Sequence, residues 1–98
     1  MSTVVIALER GFRRHHVTVA INGEEVLNAT NVTTDPGVGI AGSVAVDTGS
    51  HCRVKVALPE RGVAADLELT VSELTYLRIS LSDDTLILTP VVEGPGAV

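Results

Sequence analysis

The chain of 98 residues and 10.2 kDa has room for one domain with one hydrophobic core. Hydrophobic residues make up 45% of it and charged residues 19%, which excludes an intrinsically disordered protein. The formal net charge of −5 and the presence of only two aromatic residues argue against a nucleic-acid partner, because phosphates require positive charge and bases stack on aromatic rings.

The side-chain types favour a β-sheet protein. The chain contains 16 valine, 5 isoleucine and 10 threonine residues, one methionine and no glutamine. β-Branched side chains lose rotamer freedom in a helix and pack well on a pleated surface. We therefore predict an all-β fold.

The first third of the chain alternates apolar and polar residues, as strands do. We predict strands over residues 3–8, His15–Ile21 and 24–29, with residues 9–14 as the link between the first two. Asn22-Gly23 is the strongest short hairpin signal, because a type I′ turn needs a positive φ at both central residues.

The pattern weakens over residues 31–42, where Asp35-Pro36-Gly37 indicates a turn and further glycines interrupt an apolar run. We expect a bulge, a corner or a loop there. Residues 43–46 read as a strand again, and residues 47–50 as the next turn.

Residues 51–70 are predicted to form a hairpin, and its register can be checked against the side-chain pattern. If residues 59–62 form a four-residue loop, Leu58 faces Val63 and the remaining pairs follow. One face then carries apolar pairs and the other carries ionic pairs: Val54 with Leu67 and Cys52 with Leu69, against Lys55 with Asp66 and Arg53 with Glu68. A slip of one residue would place the ionic row in the core, so both faces support one antiparallel register.

A last hairpin joins residues 74–82 to residues 85–89 through Asp83-Asp84, with Leu81 opposite Leu86 and Ile79 opposite Leu88. Pro90 is expected to end the pairing, because proline has no backbone N–H to donate. The domain is thus predicted over residues 1–90, followed by a flexible Gly/Pro-containing tail over residues 91–98.

Seven or eight short antiparallel strands fit two architectures, in both of which each strand buries one face. We predict a single small antiparallel β-sandwich, with a small closed β-barrel as the alternative.

Imidazole and thiol groups are the ligands of zinc and copper sites, and the chain offers His15, His16, His51 and Cys52. Neighbouring residues in a strand point to opposite faces, so each adjacent pair can give one ligand to a given site. We predict no metal site and no cofactor, and keep a metal-binding protein that uses these residues as the alternative function.

Arg10, Arg13 and Arg14 form the one basic cluster in an acidic chain. Such a cluster can hold a phosphate, a carboxylate or an acidic partner, whereas a solvated loop is the plainer interpretation. We expect no enzyme, because no serine sits in a nucleophile elbow and nothing local places a base beside Cys52. A small enzyme with a loop-built site ranks third.

The C-terminal strand carries three apolar residues in succession, Leu86, Ile87 and Leu88, of which one sheet face can bury only part. Ile87 is expected to point away from the core on the side of Tyr76, with Val91 following, unless a second layer covers it. We therefore predict a protein-interaction or assembly module that self-associates or docks on a protein partner through an exposed edge strand.

The N-terminal segment lacks a basic region before its apolar run, and that run is too short for a signal peptide or a membrane span. Cys52 is the single cysteine, so no internal disulfide can form. We expect a cytoplasmic protein with no membrane partner, with the prior removal of an export signal as the alternative.

Overall fold

The computed structural model describes residues 2–71 and 74–93, and within them the chain is an all-β sandwich of two four-stranded sheets that do not close into a barrel. The eight strands are β1 (Ser2–Leu8), β2 (His15–Ile21), β3 (Glu24–Val32), β4 (Gly42–Thr48), β5 (His51–Leu58), β6 (Val63–Thr70), β7 (Leu74–Ser82) and β8 (Thr85–Glu93). The sandwich prediction is confirmed.

The two sheets have the strand orders β4-β1-β7-β8, called the first sheet, and β3-β2-β5-β6, called the second sheet. Neighbouring strands run antiparallel, with the exception of β1 and β7, which run parallel. At the sides of the sandwich, β3 lies against β4 and β6 lies against β8.

The strand directions give the sandwich two ends. The arginine end carries the loops of residues 9–14, 33–41, 59–62 and 83–84. The terminal end carries the turns of residues 22–23 and 49–50, together with Ser2 and Glu93.

The predicted hairpins are confirmed pair by pair. β5 and β6 pair in the predicted register, from Leu58 with Val63 to His51 with Thr70. Asn22 and Gly23 have φ values of 53° and 83°, as a type I′ turn requires. The same turn is tied to β5, because the Asn22 N–H donates to the Arg53 carbonyl and the Arg53 N–H donates to Asn22 Oδ1, both over 2.9 Å.

The prediction that Pro90 ends the last hairpin is wrong. Pairing with β7 continues to Glu93, and Pro90 itself stands opposite Leu77. The pair that flanks a two-residue loop is hydrogen-bonded, and bonded and non-bonded pairs then alternate, so the Pro90 nitrogen points to the free edge of β8. No ladder bond is lost there, which explains why the strand tolerates the proline. The remainder of the predicted tail, residues 94–98, lies outside the described residues.

The irregular middle of the chain is a bulged strand followed by a loop. β3 extends beyond the predicted residue 29 to Val32, and its register with β2 shifts twice. Asn31 lies at one of these shifts with a φ of 60°. Extra residues that bend an edge strand discourage it from pairing with another chain. β4 is also longer at both ends than the predicted residues 43–46.

The core lies between the sheets and consists almost entirely of aliphatic side chains. The largest fully buried side chains are Phe12, Ile6, Leu8, Leu58, Leu77, Ile79, Val4, Val17, Val19, Val54, Val56 and the polar Thr75. Phe12 is the exception in both type and position, because it comes from the link between β1 and β2 and fills the core at the arginine end. The sequence pattern did not predict this burial.

Candidate functional site

The outer face of the first sheet carries an apolar row that crosses all four strands. Val5 is paired with Ala45 on one side and with Tyr76 on the other, and Tyr76 is paired with Val91. Tyr76 and Val91, two of the predicted interaction residues, are thus direct neighbours. The third, Ile87, lies on the same face opposite Ser80 and is 47% exposed.

Two charged residues on this face, Arg78 and Asp47, bond to neighbouring side chains. Arg78 Nε donates to both carboxylate oxygens of Glu9, over 3.0 and 3.1 Å. The Thr3 hydroxyl donates to Asp47 Oδ1 over 2.9 Å. The apolar row is therefore bordered by the ion pair of Arg78 with Glu9 and by the carboxylate of Asp47, which accepts a hydrogen bond.

The outer face of the second sheet is ionic instead. Arg53 Nη2 lies 2.6 Å from Glu68 Oε1, and Lys55 stands opposite Asp66. The hydrogen bond and charge of Glu68, with the charge of Asp66, raise the pKa of Arg53. The outer face of the first sheet thus carries an apolar row across its four strands, whereas the outer face of the second sheet carries ionic pairs.

The three arginines of the predicted anion site lie in the loop of residues 9–14, and all are exposed. The backbone of this loop bonds to the protein itself: the Phe12 and Arg14 N–H groups donate to the hydroxyls of Thr34 and Thr33, each over 3.1 Å. Arg14 has a φ of 54°, a left-handed conformation that the surrounding hydrogen bonds hold in place.

The predicted metal candidates do not meet. His15 is buried at the arginine end, where its Nδ1 accepts from the Arg13 N–H over 2.7 Å and its ring packs edge-on against Phe12, with 6.0 Å between ring centroids. His16 points outward and bonds Asn28 Oδ1 through Nε2 over 2.7 Å. His51 and Cys52 lie at the terminal end, the first exposed and the second buried.

Cys52 is a core residue. Burial raises the pKa of its thiol, and the hydrogen bond with Thr48 opposes that rise. An open depression of ≈ 530 Å³ lies beside it at the terminal end and is lined by Asn22, His51, Cys52, Arg53, Glu68, Leu69 and Thr70. Within residues 2–71 and 74–93, no three His, Cys, Asp or Glu side chains are grouped so that they could hold a metal ion.

Sequence reasoning missed two members of the apolar row, Val5 and Ala45. The signal for Val5 was available, since it alternates with the buried Val4 and Ile6 and must face outward. The assembly of the row was not predictable, because it depends on the pairing of β1 with β4 and β7, which no hairpin dictates.

The described ranges contain no helix that could cross a membrane. No protein-family model matches the chain, and no curated protein is significantly similar to it. The fold defines the class of the protein as a two-sheet β-sandwich.

Proposed function

We propose that the protein is a non-enzymatic assembly module that binds a second copy of itself through the outer face of the first sheet. The observation that carries the proposal is the apolar row formed by Val5, Ala45, Tyr76 and Val91. A two-fold contact places the same patch on both subunits, so an apolar row can pack against its own copy.

Charge favours a second copy on this face. With a net charge of −5, two copies repel each other over most approaches. The face around the apolar row lessens this repulsion, because the charges of Arg78 and Glu9 cancel and only Asp47, which accepts a hydrogen bond from Thr3, keeps its negative charge beside the row. The ionic rows of the second sheet would instead have to be desolvated in a contact, which is costly.

The contact is a face contact rather than strand addition. Pro90 removes a donor from the free edge of β8, so a strand added there would lose a ladder hydrogen bond. Ile87, on the outer face of the same strand, extends the apolar surface instead and is 47% exposed.

The size of the face predicts a weak, reversible dimer. The four strands, taken over the length of the seven-residue β1, cover roughly 19 by 23 Å, which is about 440 Å² per copy. Two such faces bury about 900 Å² in total, below the range of about 1,200 to 2,000 Å² that stable complexes bury. We therefore expect the dimer to be populated at high protein concentration.

Sedimentation velocity over a wide concentration range tests the proposal. We expect a monomer that shifts toward a dimer as concentration rises, and we expect Ile87→Lys and Tyr76→Lys to abolish the shift. Ala64→Lys is the matched control, because Ala64 is exposed on the outer face of edge strand β6 in the other sheet. A monomer at every concentration, or a dimer that Tyr76→Lys leaves intact, would disprove it.

A further inference from the structure

The chain has seven lysine and arginine residues, and they divide into two groups. Four of them face acidic residues: Arg53 with Glu68, Arg61 with Asp84, Arg78 with Glu9, and Lys55 opposite Asp66. The guanidinium groups of the other three, Arg10, Arg13 and Arg14, have no ion pair or hydrogen bond in the described part of the chain. Acidic residues outnumber basic ones by 12 to 7, so the three unpaired arginines stand out.

The loop that carries them is fixed in place. Phe12, which is buried, lies between Arg10 and Arg13, and the Arg10 carbonyl accepts from the Leu81 N–H over 2.8 Å. On the other side the Thr34 N–H donates to the Phe12 carbonyl over 2.9 Å. A partner that binds the arginines therefore need not order this backbone, which lowers the entropic cost of binding.

An apolar loop tip lies at the same end of the sandwich as the arginines. Val38 is 69% exposed and Ile40 is 44% exposed, both in the loop of residues 33–41. That loop is closed on itself, because Asp35 accepts from the Gly37 N–H through Oδ1 over 2.8 Å and from the Gly39 N–H through its carbonyl over 2.7 Å. It begins at Thr33, which contacts the Arg14 backbone, so the two loops form one surface.

We propose that the surface formed by Arg10, Arg13, Arg14, Val38 and Ile40, the arginine surface, binds an acidic protein segment that carries aliphatic side chains. Guanidinium groups donate paired hydrogen bonds to carboxylates, and the aliphatic side chains cover the exposed valine and isoleucine. This surface is separate from the apolar row, so the inference does not depend on the proposed self-association.

A narrow segment fits this end of the sandwich better than a flat anionic surface does. The other half of the same end carries three carboxylates, Glu60, Asp83 and Asp84, against one arginine, Arg61, which is paired with Asp84. An anionic bilayer laid across the end would meet these carboxylates and be repelled. A peptide can contact the basic half alone.

Fluorescence anisotropy with a labelled peptide of repeated Glu-Glu-Leu units tests the proposal, with a Gln-Gln-Leu peptide as the uncharged probe. We expect the acidic peptide to bind and the uncharged peptide not to bind. We expect the double variant Arg13→Glu, Arg14→Glu to bind the acidic peptide about tenfold or more weakly. Raising the salt concentration to about 0.5 M should weaken it as well.

Arg61→Glu is the matched control, because Arg61 lies at the same end but is already paired with Asp84. We expect it to leave peptide affinity within about twofold of the native value. Circular dichroism tests whether each variant is folded, and sedimentation tests whether self-association is unchanged in the double reversal. Equal binding of both peptides, or no loss of affinity on the double reversal, would overturn the proposal. Binding to phosphatidylserine vesicles without binding to the acidic peptide would overturn it too.

Discussion

Phe12 shows how a single side chain shapes the arginine end. It comes from a link that is otherwise polar and exposed, and it is 1% exposed among the aliphatic residues of the core. Its backbone exchanges hydrogen bonds with Thr34 in the next loop. Burial of this ring therefore anchors the stretch from which the three arginines project.

Gly11, next to Phe12, is predicted to be irreplaceable. Its φ is 92°, and a Cβ added there would overlap the carbonyl oxygen of Leu81. Gly23 has a similar φ of 83° but open space around the corresponding position. Gly23→Ala should cost about 1 kcal/mol of unfolding free energy through backbone strain alone, and Gly11→Ala more than about 3 kcal/mol.

Urea denaturation of the two glycine variants measures this difference. Both substitutions add the same methyl group at a left-handed position, so the excess cost at Gly11 isolates the close approach to Leu81. Equal losses in the two variants would contradict the predicted overlap.

Cys52 is predicted to be unreactive while the protein is folded. Burial raises the pKa of its thiol above the ordinary 9.0. The folded state thus resists ionisation of the thiol. The contribution of the protonated thiol to the unfolding free energy is therefore complete below about pH 9 and is lost as the pH rises further. Labelling with a thiol reagent near pH 8 should be slow in buffer and fast in denaturant. Equal rates in the two conditions would contradict the prediction.

At the scale of the strand, the ionic rows of β5 and β6 hold the register without adding much stability. Arg53→Glu puts two carboxylates opposite each other at Glu68 and should lower the unfolding free energy only slightly, because both side chains are exposed. Adding Glu68→Arg should restore most of the loss. Urea denaturation of the two single variants and the double variant measures the coupling, and a double variant that is no more stable than Arg53→Glu would show that the pair does not interact.

The hairpins were predictable because their signals are local. In β5 and β6 the apolar and ionic pairs agree on one register, and Asn22-Gly23 requires a specific turn type. The extension of β8 past Pro90 was not predictable by the same rule, because the cost of a proline depends on whether its nitrogen points inward or to a free edge. The direction of the proline nitrogen can be predicted only when two facts are known: which residue pairs of the hairpin are hydrogen-bonded, and that β8 is an edge strand.

At the scale of the molecule, β1 is the strand that organises the first sheet. It pairs with β4 and, in parallel, with β7, and neither partner is its neighbour in sequence. Long-range pairing of this kind must close large loops before contacts compensate for the lost entropy. We therefore expect refolding in the range of milliseconds to seconds rather than microseconds.

Two buried valines test the order of folding. Val4 in β1 pairs with Val46 and Thr75, far along the chain, whereas Val54 in β5 pairs with Leu67 across a short hairpin. Either change to alanine should cost roughly 2 kcal/mol, because both side chains are fully buried. Val54→Ala should slow refolding, and Val4→Ala should mainly speed unfolding. Stopped-flow refolding and unfolding rates measure both effects, and the reverse assignment would mean that the first sheet forms before the β5-β6 hairpin.

The candidate surfaces were predictable only in part, for the same reason. The positions of Tyr76 and Ile87 on one outward face follow from alternation along the last hairpin. The contribution of Val5 and Ala45 depends on non-local pairing. The three arginines form a recognisable cluster in the sequence. Their lack of acidic partners could not be predicted, because that prediction requires the position of every acidic side chain in the fold.

The parallel pairing of β1 with β7 also brings the two ends of the described chain together. Thr3 is paired with Leu74, and Leu74 is paired with Glu93, so Thr3 and Glu93 lie two strands apart, about 10 Å. A short peptide linker can bridge that gap, and new termini can be opened within residues 59–62. Such a circular permutant should keep both sheets intact. Its new termini lie at the arginine end, in the loop between β5 and β6, which is a different loop from the one that carries Arg10, Arg13 and Arg14.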